Sequence, residues 1–485
     1  MNIKKIVFGT GILGTIKVLT MVSGLVQSIV LAHFLSVDNY ALYGQCNTLI
    51  ATVSGVTIFG FADSVLFFCG IAKDDFSRRK YLTVIFIFEI LFCIISGVLL
   101  LALKNVIVEI FNNNQLGNLV FLLALFPLFT NLSNCLSQLL FTEHKVKAIG
   151  IANLLFSLSS LAIAFLIIND NSPIVLFLYL MLVNYFILIV LQIICYLFEK
   201  KRFIKFLRFD TSIVRQVLKY ALPLGVSIIG STLLKEFDKI IISNQCSSLD
   251  FATYTAVSRQ LPVTFFSAAL SSQIIPLLVK AISEKDMDRT KKILHIYYVV
   301  GFVSSMILGF AILSVSKQFM LFLYSDKYSE GIWVFIIYVF VDIVSFAYPG
   351  QMLLVSGRTK ELLFHSIIMV VANIILNIIL LNLFGILGPA VATLIVQICA
   401  LCIQTYRGMK LNNIQPSIFV PWKHLIICTL LCVPMTVGFG ILSHYYSFGN
   451  LPDILVYGVA CGLLCITGCG FYLFKNKVLV LKGDL

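Results

Sequence analysis

Charge is what this chain has least of. Only 12% of its 485 residues are charged, against 60% hydrophobic, and the mean hydropathy is +1.01. A soluble domain keeps about a quarter of its residues charged, so a surface this poor in charge must face lipid. Long hydrophilic stretches are also missing, which leaves no room for a soluble catalytic domain. The first apolar stretch, 8–35, is too long for a signal-peptide core and lacks a clear small-residue cleavage site. It reads as a retained span.

The 35 basic residues exceed the 22 acidic ones, for a net charge of +13. They are scattered in short runs between apolar segments, the pattern of cytoplasmic loops and not of a nucleic-acid face. Thirteen cysteines sit almost all inside apolar segments and read as buried small hydrophobes. Cys461, Cys465 and Cys469 have helical spacing, but no His or carboxylate joins them, so neither a metal site nor a cofactor is expected.

A helix needs roughly 20 apolar residues to cross the hydrocarbon core. Fourteen stretches qualify: 8–35, 41–71, 81–103, 119–141, 148–168, 173–198, 217–243, 250–281, 294–316, 332–355, 361–381, 386–408, 424–445 and 452–474. Their runs are continuous and not alternating, so an all-α polytopic membrane protein is predicted and not a barrel. With the N-terminus inside, inward segments and the span ends that border them carry 28 of the 35 basic residues. Outward segments hold only Lys104, Lys317 and Lys327, and the remaining four basic residues lie within spans. Both termini are therefore predicted to be cytoplasmic.

The chain also repeats itself. Ser36-Val37-Asp38-Asn39-Tyr40-Ala41-Leu42-Tyr43 aligns with Ser247-Ser248-Leu249-Asp250-Phe251-Ala252-Thr253-Tyr254 at a constant offset of 211. Ala152-Asn153 likewise matches Ala372-Asn373. Two parallel six-helix repeats are one standard transporter architecture. The predicted organisation is an N-terminal lobe at 1–198, a basic loop at 199–216, a C-terminal lobe at 217–411, two further helices at 424–475 and a tail at 476–485.

Spans 11 and 12 read Asn373-x-x-x-Asn377, then Gly385-x-x-Gly388-Pro389-Ala390-x-Ala392-Thr393. This resembles the hallmark of the polysaccharide-biosynthesis, O-antigen (Wzx-type) flippases of the multidrug/oligosaccharidyl-lipid/polysaccharide exporter superfamily. Gly-Pro-Ala stands where that family usually has Gly-Ala-Ala. Asp238-Lys239 with Tyr254, Gln273 to Pro276, and Tyr324 to Gly331 are similar to further family signatures, and the resemblance covers about residues 5–410. Read physically, two Asn at i and i+4 share a helix face and can hydrogen-bond across helices, and the glycines permit a tight turn and close helix approach. Structural roles are the plainer reading of these motif residues.

The resemblance implies two lobes around a central cavity walled by spans 1, 2, 7 and 8. Charges inside the membrane must face protein or water. Lys17 in span 1 and Arg259 in span 8 are expected deep within their helices, and their charge suits a phosphate or diphosphate, Arg as a fork and Lys as a point. Structural ion pairing or a latch between lobes is the alternative. In span 7, Lys235 with Asp238 and Glu236 with Lys239 are i,i+3 pairs that can neutralise each other. Paired structural charge suits Asp238 and Lys239, whereas Lys235 lies deeper. An ion-coupled mechanism needs a carboxylate that exchanges a proton or cation. Asp342, the deepest acid, has no basic neighbour at i±3 or i±4 and is the first candidate, followed by Glu236, Asp238, Asp63 at an inner gate, and Glu89, which the family places off the cavity.

The resemblance implies a non-enzymatic flippase of the bacterial inner membrane, moving an undecaprenyl-diphosphate oligosaccharide of O-antigen or capsule type to the periplasmic leaflet by alternating access. A proton or sodium ion, membrane lipids, and a polymerase and glycosyltransferases of the same pathway are the expected partners. A peptidoglycan-precursor flippase remains open. A multidrug extruder of the same superfamily also remains open, although the cations of spans 1 and 8 repel cationic drugs. A polytopic glycosyltransferase, polymerase or ligase is disfavoured, because the longest outward loop (Lys104 to Asn118) is short and offers no acid–base pair beside a His or Cys.

Overall fold

The computed structural model describes residues 3–72, 74–143, 145–168, 173–200, 211–259, 261, 263, 274, 277–279, 281–282, 284–347, 350–356, 358–415 and 420–476. They are helical throughout, with no strand among them. The chain divides into two compact units, Met1–Ala252 and Thr253–Leu485.

The first unit contains α1 (Ile3–Phe34), α2 (Val37–Thr57), α3 (Phe61–Ile71), α4 (Asp75–Ala102), α5 (Lys104–Phe111), α6 (Asn114–Leu123), α7 (Phe126–Thr142), α8 (Val146–Leu166), α9 (Pro173–Lys200) and α10 (Thr211–Gln245). The short α11 (Ser248–Val257) bridges the boundary. The second unit continues with α12 (Met287–Leu313), α13 (Ser316–Tyr324), α14 (Ile332–Val344), α15 (Gln351–Val355), α16 (Thr359–Phe384), α17 (Leu387–Leu411), α18 (Trp422–Tyr445), α19 (Asn450–Asp453) and α20 (Val459–Lys475).

Short polar caps start these apolar helices by accepting N–H groups that have no partner within the helix. Ser36 accepts from the Asn39 N–H, Asp74 from Ser77 and Asp286 from Arg289. Asp74 lies in the loop before α4, where the hydroxyl and N–H of Ser77 hold its carboxyl below the usual range. The duplicated octapeptide is a helix start in both copies: Ser247 caps α11 by accepting the Asp250 N–H at 3.1 Å. The offset extends well beyond it. The starts of α2 and α11 lie 211 residues apart (37 and 248), and those of α4 and α12 lie 212 apart (75 and 287), as do those of α5 and α13 (104 and 316). The order of helix starts thus repeats along the chain, with α18 to α20 following the second copy.

Ten helices are long and apolar enough to cross a membrane, or eleven if the bent pair α6 and α7 forms one span. They correspond to eleven of the fourteen predicted stretches, so the chain is a multi-pass membrane protein. The count of fourteen is not reached among the described residues, and two of the three differences are breaks. The stretch 250–281 stops being helical after Val257, and much of it lies outside the described residues. The stretch 332–355 divides into α14 and α15, with Ser345 capping α14. The sequence has Pro349-Gly350 there, and a residue before proline disfavours helix. The third, span 1, is helical as α1, within which Leu19–Phe34 forms a shorter apolar helix.

Span 2, Val37–Ile71, carries a break within it, between α2 and α3. Phe59 and Gly60 both adopt positive φ, at 41° and 76°, between α2 and α3. At Gly60 a Cβ would stand 3.0 Å from the Ala221 carbonyl oxygen of α10, so both conformation and space call for glycine. The core of this unit gathers Phe61 and Phe68 of α3, Ile85 of α4, Leu139 of α7 and Val217 of α10.

Candidate functional site

The intramembrane charges fall into separate groups, best described within each unit. In the first unit Lys17 lies on α1 as expected, but its side chain is outside the described residues. Asp63 is half-buried in the first turn of α3, where the helix N-terminus favours a carboxylate. It therefore follows a break and does not sit near the end of one continuous helix.

Span 7 is α10. Glu236 and Lys239 form the expected ion pair at 2.9 Å. Asp238 is only 2% exposed, and its Oδ1 accepts the backbone N–H of Lys239. Lys235 is exposed and has no ion pair among the described residues. Of the two expected i,i+3 pairs Glu236–Lys239 is formed, whereas Lys235 makes no ion pair with Asp238 among the described residues.

Glu89 is fully buried on α4. The Cys93 thiol donates to its Oε1 at 3.5 Å, and its Oε2 has no hydrogen-bond partner among the described residues. Beside it runs a polar seam not anticipated from sequence. Asn131 of α7 donates to the Thr57 hydroxyl at 2.9 Å and the Ser54 carbonyl at 3.1 Å, and Thr130 donates to the Ser54 hydroxyl. These residues lie on three helices far apart in the chain, so only the fold brings them together.

In the second unit Arg259 is half-buried two residues beyond the end of α11. It is not nine residues inside a helix, because the helix has ended. Asp342, in the last turn of α14, is 3% exposed, and its Oδ2 accepts the Leu261 backbone N–H at 2.9 Å. One turn earlier the Tyr338 and Tyr254 hydroxyls meet at 2.9 Å.

The motif residues lie on α16 and α17. Asn377 donates to the Asn373 Oδ1 at 3.1 Å, both being buried. The two amides thus bond to each other along their own helix. Asn377 Oδ1 and Thr393 Oγ1 have no partner among the described residues. Gly385 ends α16 at φ 59°, a conformation glycine adopts without strain. A Cβ at Gly388 would lie 2.1 Å from the Leu380 carbonyl oxygen, so the hairpin closes only over glycine. Pro389 sits in the first turn of α17, where its missing N–H costs nothing.

The arrangement holds no nucleophile–base pair among these residues. It offers cationic side chains and buried polar groups on and beside long apolar helices. The structure is similar to that of "Lipid II flippase MurJ, inward closed conformation", with a TM-score of 0.74 and 16% identity, covering 96% of this chain and 99% of that one. It is also similar to an inward-facing multidrug resistance MATE family transporter of the MOP superfamily, with a TM-score of 0.63, 14% identity and coverage of 81% and 96%. A third relative in fold is the MATE multidrug transporter DinF-BH, with a TM-score of 0.60, 13% identity and coverage of 85% and 97%. Identities this low speak to fold alone. No curated protein sequence matches the chain. The family described as "Polysaccharide biosynthesis protein" matches residues 30–333. Spanning more than half the chain, that match makes it a member of the polysaccharide biosynthesis protein family, with a fold like that of the MurJ and MATE structures.

Proposed function

We propose that this protein flips an undecaprenyl-diphosphate-linked oligosaccharide, an O-antigen or capsule repeat unit, from the cytoplasmic to the periplasmic leaflet of the bacterial inner membrane by alternating access. The observation that carries the reading is the match to a polysaccharide biosynthesis family over residues 30–333, which supports a glycan-linked cargo. The intramembrane cations fit it. Arg259, Lys235 and Lys17 each meet the diphosphate on its passage, with Lys239 contributing where its pairing to Glu236 relaxes. Arg supplies a bidentate fork and Lys a point charge. Both termini lie in the cytoplasm. A proton or sodium gradient, or consumption of the glycan by a polymerase and glycosyltransferases, drives the cycle.

One observation favours a second substrate. The fold of the lipid II flippase covers 96% of this chain, so the lipid-linked precursor of peptidoglycan is the competing cargo. Multidrug extrusion is the weaker alternative, because the cations of spans 1 and 8 repel cationic drugs.

Reconstitution tests all three. The full chain in vesicles is given a fluorescent polyprenyl-diphosphate oligosaccharide, a lipid II analogue or a cationic dye, and crossing is read by quenching from outside. Transport of the oligosaccharide in preference to the other two is expected. Transport of the dye alone would remove the flippase reading.

A further inference from the structure

The stretch carrying Arg259 is fastened to α14 at two points. Upstream, the Tyr254 and Tyr338 hydroxyls bond at 2.9 Å, with the rings edge-on at 5.9 Å. Downstream, the Leu261 N–H donates to Asp342 Oδ2 at 2.9 Å. Tyr338 and Asp342 are i and i+4 on α14, so the two fasteners project from one helix face a turn apart. Arg259 lies between them, two residues before Leu261.

The second fastener answers a specific need. Helix α11 ends at Val257, and the Ser258 N–H just beyond it donates to the Tyr254 carbonyl. Leu261 is 4% exposed, so its N–H is shielded from water as well as beyond the helix ladder. A buried N–H without a partner is costly. The Asp342 side chain is the acceptor that lets the backbone leave the helix at this depth, and that departure is where Arg259 stands.

We propose that Asp342 is a positioning residue for Arg259. By accepting the Leu261 N–H it fixes the non-helical backbone that aims the guanidinium at substrate, and it does so as a hydrogen-bond acceptor, not as an exchanging acid. This rests on the reading that Arg259 contacts the diphosphate.

The test uses the full chain in vesicles with a fluorescent polyprenyl-diphosphate oligosaccharide. Asp342→Asn keeps an acceptor oxygen and should flip within about twofold of wild type at every imposed proton or sodium gradient. Asp342→Leu removes the acceptor and should lose about tenfold or more in rate at low probe concentration, partly recovered at saturating probe, since mis-aimed binding raises the half-saturation concentration. Asp342→Ala is the second variant should the leucine form fail to insert. In the Arg259→Ala background, Asp342→Leu should add no further loss, because a residue acting through Arg259 has nothing left to position. Additive losses would overturn the proposal, as would Asp342→Asn failing alongside Asp342→Leu, or Asp342→Leu behaving as wild type while Arg259→Ala fails. If Arg259→Ala itself flips normally, the diphosphate reading of Arg259 fails first and takes this proposal with it.

Discussion

Gln45 of α2 donates from Nε2 to the Ser243 hydroxyl of α10 at 2.9 Å, across 198 residues of chain. The same Nε2 reaches the Phe111 carbonyl at 3.1 Å, and Asn113 donates to Gln45 Oε1. Asn244 adds bonds to the carbonyls of Glu109 and Ile110. One end of α2 is thus bound to one end of α10 by a small, fully paired polar knot. If flipping requires these ends to part, a Gln45→Cys, Ser243→Cys pair joined by a bifunctional thiol reagent should arrest transport, and reductive cleavage of a disulfide-bearing reagent should restore it. Unchanged flipping by cross-linked protein would show that α2 and α10 stay together here throughout the cycle.

Cation chemistry is tested by charge-preserving and charge-removing exchanges at Lys17. Lys17→Arg should retain more flipping than Lys17→Gln, because charge is the property invoked, and Lys17→Ala and Arg259→Ala should each lose about tenfold or more. Membrane insertion and abundance, measured on the same preparations, should be unchanged. Normal polysaccharide export by both alanine variants would place the diphosphate contact elsewhere.

Topology follows from the distribution of Lys and Arg. Reporter fusions after Leu207 and after Asp286 should read cytoplasmic, and fusions at Asn114, Asn171 and Asp453 periplasmic. A periplasmic signal after Leu207, within the most basic loop, would overturn the orientation and the helix count together.

The hairpin of the family motif makes a sharper structural prediction. Gly388 leaves no room for a Cβ against the Leu380 carbonyl, whereas Gly385 needs its conformation and has open space around it. Gly388→Ala should therefore cost more than Gly385→Ala, about 3 kcal/mol or more against about 1–2 kcal/mol. Thermal unfolding of the two variants in detergent, compared side by side, decides it. An equal or inverted order would mean that the α16–α17 turn is looser than described.

The repeat and the helical nature of the chain were legible because both are written in local signals. Ser36 and Ser247 cap helices that start 211 residues apart, and long apolar runs admit little but helix. The breaks were harder to read. Hydropathy is blind to Phe59-Gly60, an apolar pair inside an apolar run. Ser258-Arg259-Gln260 before Pro262, and Ser345 before Pro349-Gly350, were available signals of interruption that the apolar averages on either side concealed. The partner of Asp342 was not legible at all. Neighbours at i±3 and i±4 lie on the same helix, as Cys93 does for Glu89, whereas Leu261 lies 81 residues from Asp342.

Cysteine shows the same limit and supplies the last prediction. Cys461, Cys465 and Cys469 looked like inert filling of one helix, and the facing positions of α18, Cys428 and Cys432, could not be matched to them from sequence. In the structure all five are buried along one seam, with Cys432 Sγ 3.5 Å from Cys469 Sγ and the Cys469 thiol 3.8 Å from the Cys428 carbonyl. Cys461 lies 3.9 Å from the Thr436 hydroxyl at the other end of the contact, so α18 and α20 run antiparallel. Molecular iodine, small and apolar enough to enter the seam, should oxidise Cys432 and Cys469 to a disulfide, each thiol giving up its proton and two iodide ions forming. Alkylatable thiols in the denatured protein should fall from thirteen to eleven, with one peptide linking α18 to α20. Cys432→Ser should abolish the link and Cys465→Ser should leave it. A full complement of free thiols after oxidation, or a link made through Cys465 instead, would mean that the two helices meet in a different register.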